Sequence, residues 1–496
     1  MPPNLIPFII LTVFLGLIIL VGKIASRQVS SSDDYVVANR SAPLFLIVGT
    51  IFATFWGGGT VLGGTGAAYE EGIFGVVEDP FAAGLALLIL GVFFVSTLRR
   101  LNLRSMGELY GFRYGKVAGY LSSTLMIPTF LIWTAVQLLA IGKIINVIFD
   151  VNFLFGYLIA MGIIILFTYM GGLIAVAWTD AFQMIIIFIG LFMMISIGFK
   201  ATGGIENIIS TTPENFWNIL PRENTFHSWL SYFAMWAGMS LGNLPSPDIA
   251  QRAFMARDEK TAKRGMIIAG LMYMTIGFVP VLIALIGINL VSQGIIDGTQ
   301  LLKDPELLIT LMAKNLFGPI GLGIFISSLT ATILSSASTS LFATAVLVSN
   351  DIYKPLMEKL NFKLTDKHLL IASKFSVILV GIISAIIGLM STKIYDLMIF
   401  AFTLQFGVLF FPFVFALKSK FATPFGVISG MLGGLFVNVY GVVSQQSIIP
   451  EPWEFFTLVP PLTNLILILV VSFFTKKISQ SVPLDRLYKH ESTHAL

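Results

Sequence analysis

An all-α protein that crosses a membrane about thirteen times is what the sequence predicts, on three observations. Hydrophobic residues make up 56% of the 496 residues and charged ones only 11%, far below the roughly 25% charged of a soluble domain. The apolar residues gather into runs of about 20, the length a helix needs to span hydrocarbon. Between the runs, basic residues fall in alternate loops, as the sidedness of membrane insertion requires. Those loops account for the formal charge of +4. Nucleic acid is therefore not an expected partner; the lipid bilayer and a small-molecule solute are. Without cysteine there is no disulfide framework, thiol nucleophile or thiolate metal site.

The first run, Ile6 to Val21, precedes Lys23 and Arg27. A signal peptide carries its positive charge first, so residues 1–27 read as a retained leading helix. Further spans are expected at about 42–68, 79–98, 118–147, 154–175, 178–200, 228–247, 265–290, 318–348, 369–391, 394–417, 424–444 and 457–475. An odd total puts the termini on opposite sides. Arg99, Arg100, Arg104, Arg113 and Lys116 then share one inner loop. Arg252, Arg257, Lys260, Lys263 and Arg264 share a second, and Lys354, Lys359, Lys363 and Lys367 a third. The outer loops hold Glu70, Glu71, Glu78 and Asp79, and later Glu451 and Glu454. The expected location is the cell membrane, N-terminus outside, with residues 478–496 a cytoplasmic tail.

Two spans carry breaks. Leu44 to Gly66 is apolar but holds Gly57, Gly58 and Gly59 at its middle. Each glycine costs a helix interior roughly 1 kcal/mol relative to alanine, and in hydrocarbon every freed backbone group needs a partner inside the protein. Secondary transporters use such breaks to turn carbonyls and N–H groups toward a ligand at the midplane. The seventh span, Trp229 to Pro247, is loosened by Gly238, Gly242, Pro245 and Pro247. Five helices separate the two, which suggests a five-helix unit repeated in inverted topology. Its copies are residues 42–200 and 228–417, followed by two additional helices in 424–477.

Asp180 opens the sixth span, where a carboxylate deep in the membrane costs roughly 2.5–3.5 kcal/mol. It reads either as an interfacial helix N-cap or as a cation ligand facing the bundle. In the ninth span Thr332, Ser335, Ser336 and Thr339 lie on one helical face with Ser338 beside them. Small hydroxyl residues also let helices pack closely, but hard cations want oxygen ligands, and the two segments together favour a sodium site.

At these residues the chain resembles the sodium/solute symporters, a family that includes proline, glucose, sialic acid and choline transporters. Four motifs carry the resemblance: Gly49 to Gly59; Tyr169 to Asp180; Pro247-Asp248 with Arg252-Ala-Phe-Met-Ala; and Leu334-Ser-Ser-Ala-Ser-Thr with Asn350-Asp-Ile-Tyr-Lys354. The resemblance implies a LeuT-like core of two inverted five-helix repeats working by alternating access, with sodium as the co-transported ion. It implies a first sodium site at the carbonyls of Ala53, Trp56 and Thr332 and the hydroxyls of Ser335 and Ser336. A second site falls on Asp180, Ser335, Ser338 and Thr339.

Candidate solute contacts are Phe55, Trp56, Gly57 and Thr60 at the break and Glu78 and Asp79 entering the third span. Trp133 and Gln137, Trp236 and Ser240, and Gln405 complete the set. With no Arg or Lys expected at mid-span to clamp a carboxylate, acids and tryptophans suit a cationic or neutral nitrogen compound. A monocarboxylate or sugar is the alternative substrate, and a transport-incompetent receptor on the same fold the alternative class. Asp248 and Arg252, one turn apart, read as a gating ion pair. No phosphate-binding loop of a pump and no convergent acid, base and nucleophile of an enzyme are present, and a monomer suffices for transport.

Overall fold

The structure, a computed structural model, describes residues 4–27, 31–445 and 453–483. The side chains of Glu451 and Glu454 and tail residues 484–496 lie outside what is described. Among the described residues every regular element is helical, and the one extended pairing is a bridge between Ala42 and Ala256. Ten helical runs among the described residues are long and apolar enough to cross a bilayer, against thirteen expected. The difference lies where helices break or merge. Leu44–Phe55 and Phe153–Tyr169 are apolar but short, and Gly59–Arg100 forms one run, although Gly72, with φ 67°, turns the chain inside it. Phe226–Gly242 is a further helix of 17 residues. Exposed phenylalanines such as Phe192, Phe436 and Phe473 cover the flanks, as a lipid-facing surface should.

The first break falls on the three glycines. Leu44–Phe55 ends at Trp56 (φ −77°, ψ 78°), and the chain resumes through a wide π-helical turn, Gly59–Gly63, into Gly64–Glu71. Glycine is needed here for close approach. A Cβ on Gly57 would lie 2.7 Å from Ser336 Oγ, and one on Gly58 2.4 Å from Ala140 Cβ. The second break spans Asn243 to Ser246, between Phe226–Gly242 and Pro247–Met255, with Pro247 at the first turn where its missing N–H does no harm.

Phe153–Ala201 is continuous but kinked at Gly172 (φ 61°), where an added Cβ would meet the Tyr35 ring at 2.6 Å. The expected gap between 175 and 178 is therefore helix, and the turn sits earlier. Leu44–Phe55 packs against this long helix, against Glu259–Ile276 and against the serine-rich helix Pro319–Val346. On the expected inner side, the Ala42 N–H donates to the Met255 carbonyl and the Arg257 N–H to the Ala42 carbonyl. Arg99 adds a bond to the Ala256 carbonyl at 2.5 Å. Arg113, expected in a solvated loop, is buried and donates to the carbonyls of Ala416, Ser419 and Val482.

Candidate ion and solute site

The breaks leave backbone groups that side chains take up. The Gly57 N–H turns back to the Phe55 carbonyl at 2.9 Å rather than continuing the helix to Ala53. The Ala53 carbonyl instead accepts from Ser335 Oγ at 3.2 Å and Ser336 Oγ at 3.1 Å. A hard cation about 2.4 Å from each oxygen would need these groups to part by only a few tenths of an ångström and the hydroxyls to rotate. The oxygens expected in the first sodium site from Ala53, Ser335 and Ser336 are thus together. Thr332 is buried on the same helix, and its hydroxyl bonds the Ser328 carbonyl at 3.0 Å.

Asp180 lies in the helix interior, roughly two turns past Gly172, and fully buried. The N-cap reading is therefore corrected: the side chain faces the bundle. Its carboxylate accepts from Thr50 Oγ1 at 2.5 Å and Ser335 Oγ at 2.6 Å. It also faces Arg252 Nη2 at 3.6 Å. Arg252 is not in a loop, as its place among the basic residues suggested, but fully buried on Pro247–Met255. It donates to Thr339 Oγ1 at 2.5 Å. Ser338 turns to the Ser335 carbonyl at 3.0 Å. Arg252 bonds Asp248 at its backbone carbonyl, 3.4 Å away, and the carboxylate within 4 Å of it is Asp180, while the charges of Arg252 and Asp248 also attract. The Asp248 side chain caps its own helix, accepting from the Ile249 N–H at 2.7 Å.

Beside the first break lies a narrow cleft with about 10 Å³ of free space, room for about one water, so a solute enters it only as the surrounding helices part. Its walls are aromatic and thioether: Phe55, Trp133, Tyr273, Phe402, Met239 and Met398. Two carboxylates line it, Asp79 and Asp248, together with Thr54 and Asn243. The Asp79 carboxylate accepts from Thr60 Oγ1 and from Tyr273 Oη, both at 2.6 Å. The Asp79 N–H donates to Tyr395 Oη at 3.1 Å. Among the described residues no Lys or Arg pairs with it. Lys143 is held apart by Asp304 at 2.7 Å and Glu306 at 2.5 Å.

Of the expected solute contacts, Phe55, Asp79 and Trp133 line the cavity, and Thr60 supports Asp79 from behind. The others stand elsewhere. Trp56 is buried, stacked on Phe52 with ring centroids 5.5 Å apart. Trp236 packs on Tyr232, Ser240 bonds the Trp236 carbonyl, and Glu78 is buried outside the cavity wall. The two glutamines hold the breaks open. Gln137 Oε1 accepts from the Gly58 N–H at 2.9 Å, and Gln405 Nε2 donates to the Gly242 carbonyl at 2.9 Å and to Ser246 Oγ at 3.0 Å. Sequence reasoning missed Tyr273, Asn243, Met239, Met398 and Phe402. Each lies in an apolar helical stretch or beside a break, and no spacing signal distinguishes it from packing.

Comparison with known proteins bears on the family and the fold. A sequence model of the sodium:solute symporter family matches residues 35–434. The human high affinity choline transporter 1 is 26% identical over 462 residues, which cover 87% of this chain and 76% of that protein. A sodium/proline symporter of Staphylococcus aureus (strain JH9) is 26% identical over 501 residues, 96% of this chain and 94% of its own. Among solved structures, a Na+-coupled sialic acid symporter in a substrate-bound outward-open state matches with a TM-score of 0.79 at 19% identity, over 96% of this chain and 99% of that one. At that identity the likeness speaks for a LeuT-like fold.

Proposed function

The chain belongs to the sodium:solute symporter family, and on that premise we propose that the solute it carries with sodium is a small cationic or neutral nitrogen compound. Sodium-coupled movement of a small solute across the membrane is the activity of the family. The observation that carries the substrate class is the pair of carboxylates, Asp79 and Asp248, in a cavity otherwise walled by aromatic rings and lined by no Arg or Lys. Asp79 is buried and among the described residues no Lys or Arg pairs with it, which is costly, and a solute cation relieves that cost. The rings of Phe55, Trp133, Tyr273 and Phe402 offer the faces that attract one. A solute whose only charge is a carboxylate would meet two like charges instead, whereas a zwitterion can turn its ammonium toward them. Choline and proline, named for the relatives above, are both nitrogen compounds.

In the cycle we infer, sodium enters the oxygens of Ala53, Ser335 and Ser336 and ties the broken helix to the serine-rich helix. This orders the break against which the solute rests. Each ligand then raises the affinity of the other by one factor. Five-helix units 42–200 and 228–417 move against each other, and the Ala42–Ala256 bridge with Arg99 closes the inner side while the outer side is open. The C-terminus faces the cytoplasm, and one chain carries the whole pathway.

Uptake of radiolabelled choline, proline, putrescine, glucose and lactate into proteoliposomes, driven by a sodium gradient, tests the proposal. Sodium-dependent accumulation of a nitrogen compound is expected. Accumulation of only lactate or glucose would refute the substrate class, and sodium-dependent binding with no accumulation would mark a receptor.

A further inference from the structure

On the side expected to face the cytoplasm, a groove with about 450 Å³ of free space opens between two stretches of the chain, a size within the range of small-molecule sites. One wall is the turn from Met106–Tyr114 into Lys116–Phe149, and the other is formed by residues 350–358. Much of the first wall is bare backbone. A Cβ on Gly119 would lie 2.9 Å from Gly111 Cα, and Gly115 turns the chain at φ 91°. Phe112 and Tyr120 line the groove and are exposed, as are Val117 and Leu356 beside it in the chain.

Charges of both signs line the groove: Lys116 and Lys354 against Glu108, Asp351 and Glu358. Among the described residues none of the five stands in an ion pair. Asp351 is buried, and its carboxylate accepts from Ser105 Oγ at 2.6 Å, Ser123 Oγ at 2.8 Å and Asn350 Nδ2 at 2.7 Å. Asn350 Nδ2 also reaches Glu108 Oε1 at 3.2 Å. We propose that the groove holds the headgroup of a phospholipid bearing a primary ammonium, of the phosphatidylethanolamine type.

Neutral donors orient a carboxylate but leave its charge uncompensated, which is costly where water is scarce. A primary ammonium has three N–H donors to give, and bonds between ionised partners are the strong ones. The phosphate of the same headgroup suits Lys116 and Lys354, and the exposed aromatic and aliphatic side chains suit its acyl chains. A purely anionic lipid is drawn by clusters of about four or more basic residues; here two lysines face three acids. A quaternary ammonium has the charge but no N–H. An occupant would join residues 107–120 to residues 350–358, which lie in the two units that move in the cycle inferred above; its binding does not depend on that cycle.

Native mass spectrometry of the purified, delipidated chain in detergent tests this, by titration with phosphatidylethanolamine, phosphatidylcholine and phosphatidylglycerol of equal acyl length. The wild type should retain its first phosphatidylethanolamine at a concentration about ten-fold below that needed for either other lipid, the worth of one hydrogen bond to a charged group. Gly111→Leu fills the groove where a Cβ meets nothing nearer than Gly119 Cα at 3.8 Å, so retention should fall by about the same factor in a folded chain. Removing both carboxylates, Glu108→Gln with Asp351→Asn, should erase the preference over phosphatidylcholine. Equal retention of phosphatidylethanolamine and phosphatidylcholine by the wild type would overturn the inference, as would tightest binding of phosphatidylglycerol. Equal competition by water-soluble glycerophosphoethanolamine would overturn a lipid as the occupant. Unchanged retention by folded Gly111→Leu, or a preference that survives the double substitution, would overturn the site. The wild-type series needs no variant and decides even where a substitution unfolds the chain.

Discussion

Replacing Asp79 by asparagine removes one charge and almost no volume from the wall of the solute cavity. The native carboxylate accepts from Thr60 and Tyr273, each at 2.6 Å, which fixes the oxygens relative to the ring of Tyr273. Asparagine keeps one acceptor oxygen and offers an amide to the other hydroxyl, so the fold should lose only about 1 kcal/mol. The loss to a bound cation is larger. A hydrogen bond to a charged group is worth roughly 1.5–3 kcal/mol. At about 1.4 kcal/mol per decade this weakens cation binding roughly 10- to 150-fold. The assay is a dose series of choline or putrescine in a thermal-shift measurement at fixed sodium, wild type against Asp79→Asn. The reasoning is refuted if cation affinity stays within about two-fold, a change of the size that uncoupled sites show, or if a neutral sugar loses as much as the cation does.

Other perturbations separate the ion site, the break and the scaffold. Ser335→Ala removes the donor to both Asp180 and Ala53; it should abolish sodium stimulation of uptake while insertion, checked by membrane yield, stays normal. Gly58→Ala places a Cβ 2.4 Å from Ala140, an overpacking cost of about 1–3 kcal/mol, and uptake should fall with the protein still present in the membrane. Lys143→Met strands Glu306, which is left with only the N–H groups of Ile394 and Tyr395. Breaking a buried pair costs about 3–5 kcal/mol, readable as a large drop in Tm. Arg100 and Glu259 pair at 2.8 Å with side chains 52% and 37% exposed, so Arg100→Ala should shift stability by less than about 1 kcal/mol.

Much of the membrane organisation could be read from the chain because hydrocarbon imposes it. Runs of apolar residues, glycine and proline breaks and the sidedness of lysine and arginine are one-dimensional signals, and the breaks at Gly57–Gly59 and before Pro247 fall where they predict. The serine face of Pro319–Val346 was legible for the same reason: a 3-and-4 spacing is a property of one helix. Contacts between helices were not. The spacing of Arg252 from Asp248 was legible but its burial was not: Arg257, five residues on, is exposed, and the packing of Pro247–Met255 against the serine-rich helix buries Arg252. Tyr273 looked like one more aromatic in an apolar span, yet its hydroxyl reaches Asp79. Gln137 and Gln405 read as solute contacts from the sequence; what it did not show is that one end of each amide pairs with the backbone of a break.

The most direct measurement is the thermal stability of the purified protein in sodium and in potassium, across choline, betaine, polyamines, amino acids, sugars and short carboxylates. The account predicts that a cationic or neutral nitrogen compound raises Tm in sodium and not in potassium. If no compound depends on sodium, or if a carboxylate is the one that does, the account of this site is contradicted.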